Sequence, residues 1–293
     1  MDFPGKPKKP DASQALDGLK KIQQEFNTAA EDNLRKAEAM GQAVKALEDA
    51  QKREQAHEDA RYRDRIANSA AYIKGLLAHE KKPHEFFVFV DHTGSMTQKP
   101  FYAALDGAAL LKQAAGAGIA LWGSADDVRP VTGDVLDPKV REGFEKKGAS
   151  SDFKPAVDEM VKTAALNQLD GKPTHFVVIG DGEFADYPKA KAQLEKLLKG
   201  RYRATVDFII LGRAGTGMEF LAEQLAKDFP GRVKHHLVNG PAYWQGTEAD
   251  LSKAVQDTVA KVATARILPA PKPAPAPQPK TQPAAAPRPP KQG

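Results

Sequence analysis

Hydrophobic positions along the chain change rhythm three times. From Leu16 they recur at three- and four-residue steps: Leu19, Ile22, Phe26, Ala30, Leu34, Ala37, Met40, Val44 and Leu47. That spacing keeps them on one face of a helix. The stripe fades through the polar stretch 51–65 and resumes weakly at Ile66, Tyr72, Ile73, Leu76 and Leu77. Residues 11–80 hold no proline and are rich in Ala, Glu, Lys, Gln and Arg, all strong helix formers. One long or two shorter amphipathic helices are predicted over 11–82. The alanine-rich seam suits close helix packing or a weak coiled coil, so the arm either folds as a helical hairpin on the following domain or serves self-association or partner docking.

From residue 83 the rhythm becomes that of buried strands alternating with helices. EFFVFV (85–90), GIALWG (118–123), HFVVIG (175–180) and TVDFIIL (205–211) read as strands, with shorter ones at 128–132 and 233–238. Helices are predicted at about 100–115, 138–147, 154–169, 188–199, 217–228 and 247–265. Near-continuous apolar strands between helices predict an α/β fold, a doubly wound and mostly parallel sheet covered on both faces. Such sheets bind ligands beyond the carboxyl ends of their strands. After Ile267 the rhythm stops: ten of the chain's 22 prolines lie between Pro269 and Pro290, a composition that cannot bury a core. The expected organisation is a disordered basic segment (1–10), a helical arm (11–82), one α/β domain (83–266) and a disordered Pro/Ala/Lys-rich tail (267–293).

Charge narrows the partners. The formal net charge is +5. Residues 1–10 contribute three lysines against one aspartate, and 266–293 contribute five basic side chains and no acidic one. The arm is balanced at 13 of each sign, and the α/β region carries 22 basic against 24 acidic groups. The positive excess therefore sits in the two ends, and no basic face for nucleic acid is indicated. The absence of cysteine excludes disulfides and thiolate metal sites. The N-terminus lacks an apolar signal core, and no run approaches the length that spans a bilayer, so a cytoplasmic location is expected.

Chemistry concentrates at the ends of two strands. Asp91-His92-Thr93-Gly94-Ser95-Met96 follows the first buried strand, placing a carboxylate and two hydroxyls at alternate positions of a tight loop, with Gly94 expected to allow the turn. Asp181-Gly182-Glu183 follows HFVVIG, and Gly148-Ala149-Ser150-Ser151-Asp152-Phe153 precedes a helix. Carboxylate and hydroxyl oxygens are hard ligands suited to Mg²⁺ or Mn²⁺. His92 is expected to face solvent. His235 and His236, adjacent on a strand, should point to opposite faces.

The pattern Asp-x-Thr-x-Ser, a later Ser-containing Gly-rich loop, and Asp-Gly after a hydrophobic strand resembles the metal-ion-dependent adhesion site of von Willebrand factor A (VWA) and integrin I-type domains. The resemblance spans about residues 84–265. It implies that Thr93 and Ser95 bind the ion through their hydroxyls and that Asp91 and Asp181 lie beside it, largely through bound water. Ser151 would be the loop hydroxyl, with Ser150 as the alternative. The chain departs from the family in having Ser where the loop usually has Thr, and Thr93 where Ser is common; both swaps keep a hydroxyl. The implied function is binding of a partner protein whose acidic residue completes the coordination, not catalysis. Bacterial members often work beside AAA+ ATPases, which makes such an ATPase the family-level expectation within an intracellular complex.

Two rival readings use the same residues. DHTGSMT and GDGEFAD also resemble the phosphorylated motif and the Gly-Asp-Gly-x-Asn-Asp motif of the haloacid dehalogenase superfamily, which would make Asp91 a nucleophile and Asp181 a Mg²⁺ holder. Against this, Thr93 stands where a general-acid aspartate is usual, and the βαβα run after Asp181 is longer than that fold places there. A nucleotide site is disfavoured: no Walker motif is present, and the glycine spacing over 212–217 misses the dinucleotide fingerprint.

Overall fold

The computed structural model describes residues 12–80, 83–124, 127–144, 152–240, 243 and 245–268. The expected disordered segment 1–10 and the proline-rich residues from 269 onward lie outside them. The chain separates into two compact units, residues up to Asp64 and residues from Arg65. The boundary falls inside one uninterrupted helix, α1 (Ala12–Ala78). In the first unit the stripe Leu16–Leu47 is fully formed but uncovered, with Phe26 72% exposed. In the second unit the last turns of α1 behave differently: Ile66, Ala70 and Ile73 are buried, whereas Tyr72 stays outside.

The second unit is built on six strands, β1 (Glu85–Asp91), β2 (Gly118–Ser124), β3 (Asp127–Pro130), β4 (Thr174–Gly180), β5 (Ala204–Leu211) and β6 (Val233–Val238). Their order is β3-β2-β1-β4-β5-β6. All pairs are parallel except β2–β3, which is antiparallel at the edge. The sheet is therefore doubly wound and mostly parallel, with β1 and β4 side by side at its centre. The chain winds outward from β1 to one edge and returns to β4 for the other. This puts the topological switch, where a ligand crevice opens, between the carboxyl ends of β1 and β4.

Helices cover both faces. On one, α2 (Gln98–Ala115) packs against α7 (Glu248–Ile267). Gly107 makes that crossing close: a Cβ there would lie 2.9 Å from Val255 Cγ1 and 3.0 Å from Val259 Cγ2. A buried polar chain pins the two helices. Asp106 accepts hydrogen bonds from Arg141 and, at 2.7 Å, from Ser252 Oγ, which in turn accepts one from Gln256 Nε2. Burial pushes the Asp106 carboxyl up to about 6, against the pull of Arg141 and Ser252. Arg141 belongs to α3 (Pro138–Glu142), capped by Asp137; the helix predicted to 147 ends five residues earlier, and residues 145–151 lie outside the described set.

On the other face lie α4 (Lys154–Leu169), α5 (Tyr187–Lys199) and α6 (Gly217–Asp228). Their apolar sides close over Phe89, Trp122, Phe176 and Phe208. Each such ring, fully buried, stabilises by about 1.5–3 kcal/mol before ordering entropy is counted. Trp122 is core, with its ring centroid 4.9 Å from that of Phe153.

Candidate metal centre

The centre begins where β1 ends. Asp91 is its last residue and is fully buried; Thr93 is 2% exposed and Ser95 is exposed. The loop turns back on itself because the Thr93 amide donates to Asp91 Oδ1 (2.8 Å) and the Met96 amide to the Thr93 carbonyl (3.2 Å). Thr93 Oγ1 and Ser95 Oγ share a 2.9 Å hydrogen bond, so the two hydroxyls project together. Buried Met96 anchors the far side.

Gly94 does not serve the turn as expected. Its φ is not positive, and a Cβ there would meet nothing within 4 Å. The glycines that matter lie on the neighbouring strands. Gly123 has φ 116°, and a Cβ there would lie 2.7 Å from Thr93 Cγ2. At Gly180, the end of β4, a Cβ would lie 2.8 Å from Asp91 Oδ2. Both spots require hydrogen in place of a side chain, one of them also a left-handed backbone. The sequence carries the signal as glycine at the end of an otherwise apolar strand.

Asp181 follows Gly180, and the register Val90↔Ile179 puts it on the same edge as Asp91. Asp181 Oδ1 accepts from the Glu183 amide at 3.2 Å. The α6 N-terminus backs this loop: the Met218 amide donates to Gly182 O (3.0 Å), and Thr216 caps the helix. The electrostatics are one-sided. Burial pushes the Asp91 carboxyl up to about 7, and the negative charge of Asp181 adds to the rise; the Thr93 amide and hydroxyl and the Asp181 amide work against it. Asp91 Oδ2 is buried without a hydrogen-bond partner among the described residues. A buried acceptor in that condition costs free energy on the order of 1–3 kcal/mol.

The third segment is fixed from its downstream side. Ser150 and Ser151, the two candidates for the loop hydroxyl, lie outside the described residues. Immediately after them, Asp186 accepts from the amides of Phe153 (Oδ1, 2.8 Å) and Lys154 (Oδ2, 2.8 Å). One carboxylate in the β4–α5 loop therefore holds the start of α4, and the chain emerging from Ser151 is tied to the loop of Asp181. The sequence reading missed Asp186, although it closes the run GDGEFAD and faces the first turn of a helix that has no side-chain cap of its own.

Two histidine expectations meet different outcomes. His92 is not solvent-facing: it is 3% exposed, its Nε2 lies 2.7 Å from Phe144 O, and its ring packs 5.1 Å from Phe101. The loop folds inward because the His92 amide donates to Trp122 O of β2 at 2.8 Å. His235 and His236 do part: His236 Nε2 lies 3.3 Å from Asp207 Oδ1, whereas His235 joins Glu219 and Glu223 of α6, with one donor atom of each within 4.8 Å of the others. Among the described residues that is the group of three His or carboxylate ligands close enough to share an ion, and it is separate from Asp91. Tyr243 is half-buried beside the edge: burial and Asp181 push its phenol up. Trp244 lies outside the described residues.

The residues present suit a dication. The donor set is all oxygen, one acceptor is orphaned among the described residues, and the charge of Asp181 adds to the cost of ionising Asp91. Six strands in this order, an antiparallel edge, and acidic loops after the two central strands define a doubly wound, mostly parallel α/β domain. No family profile and no curated protein sequence matches the chain. Solved structures with a similar fold include the pilus adhesin SpaC from Lactobacillus rhamnosus GG (9% identity, TM-score 0.43), over 64% of this chain and 31% of that one. Others are the manganese-loaded TRAP protein of Plasmodium vivax (15%, 0.40, 59% and 74%) and the VWA domain of SpRpn10 (13%, 0.39, 59% and 93%). The chain thus spans about a third of SpaC. Among the described residues, no helix is long and apolar enough to cross a membrane.

Proposed function

We infer that the carboxyl edge of the sheet is a divalent-cation site, for Mg²⁺ or Mn²⁺, through which the protein binds a partner. Thr93 and Ser95 would hold the ion directly, Asp91 and Asp181 would neutralise it from beside, and Ser151 would complete the set. Once bound, the ion supplies a positive centre that a partner's Asp or Glu carboxylate can complete. The observation that carries this reading is Asp91: a buried carboxylate that, among the described residues, has one oxygen unpartnered and a second carboxylate raising the cost of its charge. A dication reverses the local balance, favouring the ionised form that burial and Asp181 disfavour. The protein chain itself gives the neutral hydroxyls and holds them close through the Thr93–Ser95 hydrogen bond. The partner is expected to be a protein presenting an acidic residue in an intracellular complex, an AAA+ ATPase being the family-level candidate.

Metal alone tests the site. Mg²⁺ or Mn²⁺ should bind in calorimetric titration and raise the melting temperature of the full chain. Both effects should vanish in Asp91→Ala and Ser95→Ala and survive in Glu223→Gln, which touches only the other carboxylate–histidine group. Titrations in which the wild type and Asp91→Ala behave alike would end the reading. Incubation with Mg²⁺ and acetyl phosphate should leave Asp91 unmodified; a covalent phosphate there would transfer support to phosphoryl transfer.

A further inference from the structure

The first unit presents a second surface that the metal centre does not use. Eight large apolar side chains of α1, from Leu16 to Leu47, are each more than half exposed, between 55% and 72%. At roughly 100 Å² of apolar area apiece, their burial would remove about 800 Å² per helix from water, the share one partner contributes to a standard-size interface. Patches of that extent mark an interaction site.

The spacing indicates what covers it. Nine steps carry the stripe over the 31 residues from Leu16 to Leu47, about 3.4 residues per step. That is shorter than the 3.6 of a straight helix and winds two helices into a left-handed supercoil. Written as heptads, Leu16, Gln23, Ala30, Ala37 and Val44 fall at one seam position, and Leu19, Phe26, Asn33, Met40 and Leu47 at the other. Residues flanking the seam are mostly small or apolar (Ile22, Ala29, Ala43, Ala50), so helices can approach closely. Charges between residues 16 and 50 are interspersed, seven acidic and five basic, which suits a near-neutral partner such as another copy rather than a strongly charged one.

Direction follows from side-chain size. In a parallel pair each seam residue meets itself, stacking Phe26 on Phe26 and leaving thin layers at Ala30 and Ala37. In an antiparallel pair the two seam positions face each other. Leu16 then meets Leu47, Leu19 meets Val44, and Phe26 meets Ala37. The bulkiest residue, Phe26, thus meets a small one and the outer layers pair aliphatic with aliphatic, which fills the seam more evenly than the parallel pairing. The polar Asn33 sits near the centre opposite Ala30 and Gln23 meets Met40; polar seam residues fix register at some cost in stability.

We propose that α1 pairs with α1 of a second copy as an antiparallel coiled coil, in register about a centre between Glu31 and Asp32. This pairing is independent of the metal centre and should persist in chelator.

The chain's lack of cysteine makes the test direct. Sedimentation of the full chain in EDTA should give twice the 31.7 kDa of one chain. Leu16→Cys mixed with Leu47→Cys should cross-link in high yield under oxidation, and neither should cross-link alone. Leu19→Glu with Phe26→Glu should weaken dimerisation by more than about a hundredfold while the melting temperature of the sheet domain is unchanged. A monomer at all concentrations overturns the proposal. So does efficient cross-linking of Leu16→Cys with itself, which would mean a parallel pair, or a dimer indifferent to the double glutamate substitution.

Discussion

Two aspartates of the sheet domain are almost equally buried and treated in opposite ways. Asp207, inside β5, is 1% exposed and fully compensated: Arg266 Nε donates to Oδ2 at 2.6 Å, and His236 Nε2 lies 3.3 Å from Oδ1. Asp91, at the end of β1, has among the described residues no basic partner, one orphaned oxygen and an acidic neighbour. Burial costs both carboxylates their hydration, but only at Asp207 has the fold itself repaid that cost. The contrast separates a carboxylate that fastens α7 to the sheet from one left in want of a positive charge. Asp106, held by Arg141 and Ser252, sides with Asp207.

The largest effect should come from breaking the compensated site. Asp207→Ala strands the 8%-exposed Arg266 guanidinium and should cost about 3–5 kcal/mol in denaturant unfolding. Asp91→Asn should do the reverse in EDTA. Removing one of two facing charges should raise stability by about 1–2 kcal/mol, an outcome that distinguishes the two aspartates by sign. Saturating Mg²⁺, at about 100 times its dissociation constant, should add about 2.7 kcal/mol to the wild type and nothing to Asp91→Asn. Gly180→Ala, which drives a Cβ against Asp91 Oδ2, should cost about 1–3 kcal/mol and abolish that metal effect together.

The most gradual effect, spread over several pH units, is a titration away from both aspartates. His175 Nε2 lies 2.7 Å from His84 Nδ1, and its own Nδ1 lies 2.8 Å from Thr205 Oγ1. Burial, and the neighbouring His84, push it down to about 3. The unfolded chain takes up its proton near 6.5 while the folded one resists, so stability should decline as pH falls from about 6.5 towards 3, by at most about 1.4 kcal/mol per pH unit. His175→Gln should flatten that part of the pH–stability curve, measured by denaturant midpoints.

The strands were legible because they are buried on both faces: FFVFV, HFVVIG and TVDFIIL carry their assignment in hydrophobicity alone. The edge strand β3 was harder, since Asp127–Pro130 is short, half polar and antiparallel. Asp91, Thr93, Ser95 and Asp181 could be picked out because strand ends fix where the next residues lie. The inward fold of His92 could not, because it depends on the β2 residue Trp122 and on Phe144, 52 residues away. Asp186 was missed for the same reason, its partners being backbone amides more than 30 residues upstream. The apolar stripe of α1 was readable, but periodicity alone does not say whether a stripe is covered. Part of that helix, at Ile66, Ala70 and Ile73, is buried, and part is not.

Asp186 works as a coupling pin. By gripping the first two amides around the start of α4 it gears that helix to the β4–α5 loop, so a pull on Asp181 is transmitted to the segment emerging from Ser151 without crossing the core. The β4–α5 loop and the start of α4 therefore share one mechanical linkage, and their tightening should be concerted rather than sequential.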